Sequence, residues 1–97
     1  MADGMRLDKF LWFARVVKTR GDAQALAEAG HLRLSGRIID RAHAMVRIGD
    51  VLSFARHGQV RVLRIEALPA RRGPSAEART LYTDLSEGPL TSEGAAS

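Results

Sequence analysis

The stretch Thr19-Arg20-Gly21-Asp22-Ala23-Gln24-Ala25-Leu26-Ala27-Glu28-Ala29-Gly30-His31-Leu32-Arg33-Leu34-Ser35-Gly36-Arg37-Ile38-Ile39 changes its hydrophobic period midway. The first half repeats at helical spacing. Ala23, Leu26 and Ala27 share one face, where small side chains allow close approach to another helix. Thr19-Arg20-Gly21-Asp22 has the form of a capping box, so Thr19 is the expected N-cap. Gly30, just past the last helical residue, suits a left-handed C-terminal cap. From His31 the period falls to two. Leu32 and Leu34 point inward, and His31 and Arg33 outward, as in a half-buried strand. Ser35-Gly36 is a two-residue turn, and Arg37-Ile38-Ile39 returns as its partner strand.

Before this stretch, Leu7, Phe10, Leu11 and Ala14 recur at i, i+3, i+4 and i+7, which predicts a helix from Leu7 to about Val17. Asp8 sits in its first turn, where the helix dipole favours an anion. Trp12 lies off the apolar face. It either packs under another element, with the C-terminal segment the first candidate, or offers its ring to a nucleotide base. Residues 1–5 read as a flexible lead.

After the hairpin, residues 40–45 read as an irregular connection and Val46-Arg47-Ile48 as a short apolar piece before a Gly49-Asp50 turn. Val51 to Arg56 and Gln59 to Leu68 read as paired strands across His57-Gly58. The adjacent apolar residues Val62-Leu63 break the alternation and leave room for a bulge or burial on both faces. Residues 69–85 read as a basic turn followed by one short helix from Pro74 to about Leu85, docked through Leu81, Tyr82 and Leu85. Residues 86–97 have a disordered composition. The fold class is therefore α+β: two N-terminal helices on a small, mostly antiparallel sheet, a short C-terminal helix and a loose tail.

The chain has 97 residues, room for one small domain. Its formal net charge is +4, unevenly placed: residues 1–72 hold 14 basic and 7 acidic residues, whereas residues 73–97 are net acidic. A basic body is drawn to polyanions, nucleic acid above all. Thirteen of the 15 basic residues are Arg, whose planar fork suits phosphate. Genomic base composition accounts for that bias equally well, but not for the clustering. Lys18, Thr19 and Arg20 lie at the start of the second helix, a natural phosphate seat. Arg33, Ser35 and Arg37 flank the hairpin turn, and Arg6 and Lys9 lead the first helix. Arg20 and Arg33 are the principal candidates, expected to converge in one cradle.

Four motifs carry a resemblance. Arg6-Leu7-Asp8-Lys9-Phe10-Leu11, Lys18-Thr19-Arg20-Gly21-Asp22-Ala23, Gly30 through Asp40, and Ile48-Gly49-Asp50-Val51-Leu52 occur in the order of the S4 RNA-binding domain, over about residues 6–55. The resemblance implies the S4-like fold, with residues 6–68 as the RNA-binding domain. It implies that Arg6, Lys9, Lys18, Thr19, Arg20, Arg33, Ser35 and Arg37 contact RNA. A looser match to about residue 85, including Arg72-Gly73-Pro74-Ser75-Ala76-Glu77-Ala78 and Leu81-Tyr82, is to the stand-alone heat-shock protein fifteen type. That type implies ribosomal RNA of the large subunit as partner, with peptidyl-tRNA a further one, in rescue or recycling of stalled subunits under stress. The family usually has Asn where this chain has Ser35, which is less comfortable at a positive φ.

An enzyme is not expected. The chain has no cysteine, and His31, His43 and His57 lack the carboxylate spacing of a metal site. No Walker or Rossmann glycine pattern occurs, so neither cofactor nor metal is expected. No apolar run reaches the ~20 residues of a membrane span. The start of the chain does not read as a signal peptide. A cytoplasmic monomer is the simplest expectation. The alternative is a basic interaction domain that binds a protein or DNA.

Overall fold

The computed structural model describes residues 4–56 and 58–85. The expected His57 turn position and the tail at 86–97 lie outside the described residues. Element order is β1 (Gly4–Arg6), α1 (Leu7–Phe13), α2 (Arg20–Glu28), β2 (Leu32–Leu34), β3 (Arg37–Ile39), β4 (Met45–Arg47), β5 (Val51–Arg56), β6 (Gln59–Ile65), α3 (Ser75–Ala78), a 3-10 turn (Arg79–Leu81) and β7 (Tyr82–Asp84).

Five strands form one antiparallel sheet in the order β3-β2-β5-β6-β7, and β1 pairs with β4 in a separate two-stranded ribbon. Leu32, Leu34, Ile39, Leu52, Phe54, Leu63 and Ile65 face inward from the large sheet. Leu7, Phe10 and Leu11 meet them from α1, Ala14 from its C-cap, and Ala23 and Ala27 from α2. The helical and strand periods thus converge on one core, as the α+β reading requires. No helix among the described residues is long and apolar enough to cross a membrane.

Several boundaries differ from the sequence expectation, each for a local reason. Gly4 and Met5 are not a free lead: β1 pairs Gly4 with Arg47, Met5 with Val46 and Arg6 with Met45. A Cβ on Gly4 would lie 3.2 Å from the Val46 carbonyl oxygen, so the ribbon uses glycine's small size for close approach. Its partner β4 accordingly begins at Met45 and stops before Ile48.

Helix α1 ends at Phe13, not near Val17. Arg15 takes φ +59, its N–H donates to Trp12 O, and Val16 N–H donates to Leu11 O. This is a Schellman ending with arginine where glycine is usual. Val16 and Val17 then bury in the core and pin the connection to α2 from beneath.

The β5–β6 register runs unbroken from Val51↔Arg64 to Arg56↔Gln59, so there is no bulge. Val62 is instead half-buried on the outer face while Leu63 fills the core. Strand β6 stops at Ile65, short of Leu68.

The expected single helix from Pro74 to Leu85 divides into three pieces. Only Ser75–Ala78 is α-helical. Tyr82 leaves the following turn at φ −150 and ψ 160, and β7 pairs with β6. Ala78, Leu81 and Tyr82 dock, whereas Leu85 is exposed.

Candidate nucleic-acid interface

The centre of the basic surface is a carboxylate. Asp8, in the first turn of α1, has a fully buried side chain. Arg6 grips it with two bonds, Nε to Oδ1 at 3.0 Å and Nη2 to Oδ2 at 2.9 Å. The Lys9 backbone N–H adds a third at 2.9 Å. From the start of α2, Arg20 Nη2 lies 3.8 Å from Oδ2. Burial raises the Asp8 carboxyl, but the bond and charge of Arg6, the Lys9 N–H and the charge of Arg20 outweigh it, and its pKa lies below the ordinary carboxylate value. Arg6 and Arg20 stay 43% and 39% exposed, so each keeps a solvent-facing edge. The Nε of Arg20 is buried without a hydrogen bond among the described residues.

Arg20 is the first residue of α2, and the cap before it forms as expected: Thr19 Oγ1 accepts from Asp22 N at 3.0 Å. That bond uses one lone pair and leaves the hydroxyl proton free to donate outward. Lys18 and Thr19 are exposed, and Lys9 is half-buried on α1.

The hairpin divides its basic residues. Arg33 lies opposite Ile38 and Ser53, on the face of the sheet away from the helices. Its Nη1 turns toward the hairpin tip, 3.5 Å from Gly36 O. Arg37 lies opposite Leu34 and so shares the helix-facing side. The expected convergence of Arg20 and Arg33 does not occur, because strand pleating sends Arg33 to the other face. Arg37 is the hairpin arginine on the same side as Arg20.

Ser35 does adopt a positive φ, +50, followed by Gly36 at +90. Its hydroxyl explains how. Oγ donates to Asp50 Oδ1 at 3.1 Å and accepts from Val51 N at 3.3 Å. Asp50 Oδ2 in turn accepts from Arg47 N. The Ser35 side chain therefore anchors the hairpin tip to β5.

A second group of residues escaped the sequence reading. Arg72 Nε donates to Trp12 O at 3.0 Å, and its guanidinium lies 5.6 Å from the Trp12 ring centroid. Its Nη2 lies 3.5 Å from Lys18 O. Arg15 Nε donates to Gly73 O at 2.7 Å. Trp12 is thus half-buried under the segment between β6 and α3, the packing alternative read from its position. No run of residues signals this clamp, because its bonds end on backbone carbonyls about sixty positions away.

No group of three or more His, Asp or Glu among the described residues is placed to hold a metal ion. His31 and His43 are exposed.

The S4 domain family model matches residues 5–52. Escherichia coli heat shock protein 15 is 31% identical over 83 residues, covering 86% of this chain. The chain spans 62% of that protein's length. The RQC P-site tRNA stabilizing factor of Halalkalibacterium halodurans is 34% identical over 88 residues, covering 90% of this chain and 97% of that protein. The trimeric solved structure of Vibrio cholerae heat shock protein 15 superposes with a TM-score of 0.77 at 30% identity, covering 84% of this chain and 82% of that one. The fold, the motif order and these relatives together establish that the chain belongs to the S4 domain family.

Proposed function

We propose that this chain is a non-catalytic RNA-binding protein. It binds ribosomal RNA on large subunits that have stalled with peptidyl-tRNA, and it takes part in their rescue or recycling in the cytoplasm. The observation that carries the reading is the pair of half-exposed guanidiniums, Arg6 and Arg20, fixed beside Lys18 and Thr19 at the start of α2. Planar, always-charged forks in a fixed relation recognise a phosphate backbone better than mobile lysines do. The name of the P-site tRNA stabilizing factor supports both the ribosomal setting and tRNA as a further contact.

In this reading Arg6, Lys9, Lys18, Thr19, Arg20 and Arg37 address one RNA strand. Arg33, on the other sheet face, meets a second segment of the same RNA. Ser35 contributes by shaping the hairpin tip.

Sedimentation of tagged protein with separated ribosomal subunits tests the class. Migration with free large subunits is expected, whereas recovery of protein partners or DNA without ribosomal RNA would overturn the reading. Arg20→Ala is expected to weaken binding by ~1–2 kcal/mol, the size of one charge-assisted contact, with the fold retained. Arg20→Lys should recover only part of it, because it keeps the charge and loses the fork. A monomer is the proposed free state, and sedimentation equilibrium of the isolated chain separates it from the trimer seen for the Vibrio relative.

A further inference from the structure

We infer that Asp8 is a positioning residue for RNA binding: it holds Arg6 and Arg20 in one fixed relation so that their outer edges meet adjacent phosphates together. This inference rests on the RNA reading above.

A buried carboxylate is costly, and an apolar residue of similar size would often serve stability as well or better. Its retention here is explained by what it touches. One carboxylate engages cations from two places, Arg6 at the junction of β1 and α1 and Arg20 at the start of α2. Helices α1 and α2 are separated in sequence by the Schellman turn and the buried valines Val16 and Val17. Arg6 spends Nε and Nη2 on Asp8. A guanidinium has five N–H donors, so about three stay available. Arg20 approaches the same oxygen through Nη2 at a longer 3.8 Å, so the carboxylate orients its guanidinium by charge without using up its N–H donors.

Fixing two long side chains before binding removes part of the rotamer entropy that binding would otherwise cost. It also lowers the repulsion between two like charges held close together. Two cations enclose one anion, so the cluster keeps a net positive charge toward an incoming phosphate.

The inference predicts a result opposite to that of overall charge. Asp8→Asn removes a negative charge from an RNA-binding surface, and general attraction alone would tighten binding. Positioning predicts that affinity for purified large ribosomal subunits falls about five- to tenfold at fixed salt. It further predicts that the same substitution has no added effect in an Arg6→Ala/Arg20→Ala background. Unchanged or tighter binding by Asp8→Asn overturns the proposal and leaves the RNA reading standing. An equal loss in both backgrounds also overturns it, because the effect would then be a general one on the fold. Failure of the unsubstituted protein to bind subunits overturns both readings. A measurement on the unsubstituted protein covers the case in which Asp8→Asn fails to fold. NMR relaxation of the arginine Nε–H groups should show Arg6 and Arg20 ordered relative to exposed Arg37, and equal mobility of the three overturns the proposal.

Discussion

At the scale of single residues, the chain repeatedly spends a polar side chain on holding its own backbone. Thr19 caps α2, Ser35 makes a left-handed turn tolerable, and Asp8 gathers charges from two elements. The Asp8 carboxyl also sets a pH dependence. Its folded pKa lies below the ordinary value of 3.8, so its contribution is complete above the unfolded pKa and is lost as pH falls through the folded one. Glu66 behaves similarly through bonds from Thr83 and Arg64, so a difference measurement is needed. The melting temperature of Asp8→Asn should therefore lie below that of the parent at about pH 6, and the gap should narrow as pH falls below the ordinary carboxylate value of 3.8. A gap that stays constant on acidification would show that the charged form of Asp8 contributes nothing. The Thr19 cap was readable because a capping box is local in sequence. The role of Asp8 was not: the sequence shows an acid in a first helical turn, and only folding brings Arg20 to it.

At the scale of elements, local periodicity was enough for the start of α1, for α2 and for the β2–β3 hairpin, including the inward Leu32 and Leu34 and the outward Arg33. It failed where pairing is long-range. Residues 4–6 are a strand only because β4 lies beside them, and residues 82–84 are one only because β6 offers a free edge. The same limit concealed the clamp on Trp12. Arg72 joins the segment between β6 and α3 to Trp12 and to the connection between α1 and α2, which carries Lys18 and Thr19 and leads into Arg20. Arg72→Ala is expected to cost about 1–2 kcal/mol of stability by denaturant unfolding, from a lost cation–π contact and lost bonds to carbonyls. The emission of the single tryptophan, Trp12, should shift to the red in the same variant. An unshifted spectrum with unchanged stability would mean the clamp is idle. Arg72→Lys should restore the cation over the ring but not both backbone bonds.

At the scale of the whole molecule, uneven charge is the property most easily read from sequence, and it predicts how binding responds to salt. If ~5 phosphates are neutralised, log K should fall against log salt with a slope of about −3.5 to −4.5. A slope near zero in a titration with large-subunit RNA would remove the electrostatic basis of the proposed function. Net charge says nothing about which side of the molecule each cation occupies. Arg33 was therefore placed with Arg20 by proximity in sequence and is separated from it by the sheet. The sheet has a further consequence at its β3 margin. That strand has only three residues and begins with the exposed Arg37. A margin only three residues long and opened by an arginine is a poor template for a foreign strand at that edge.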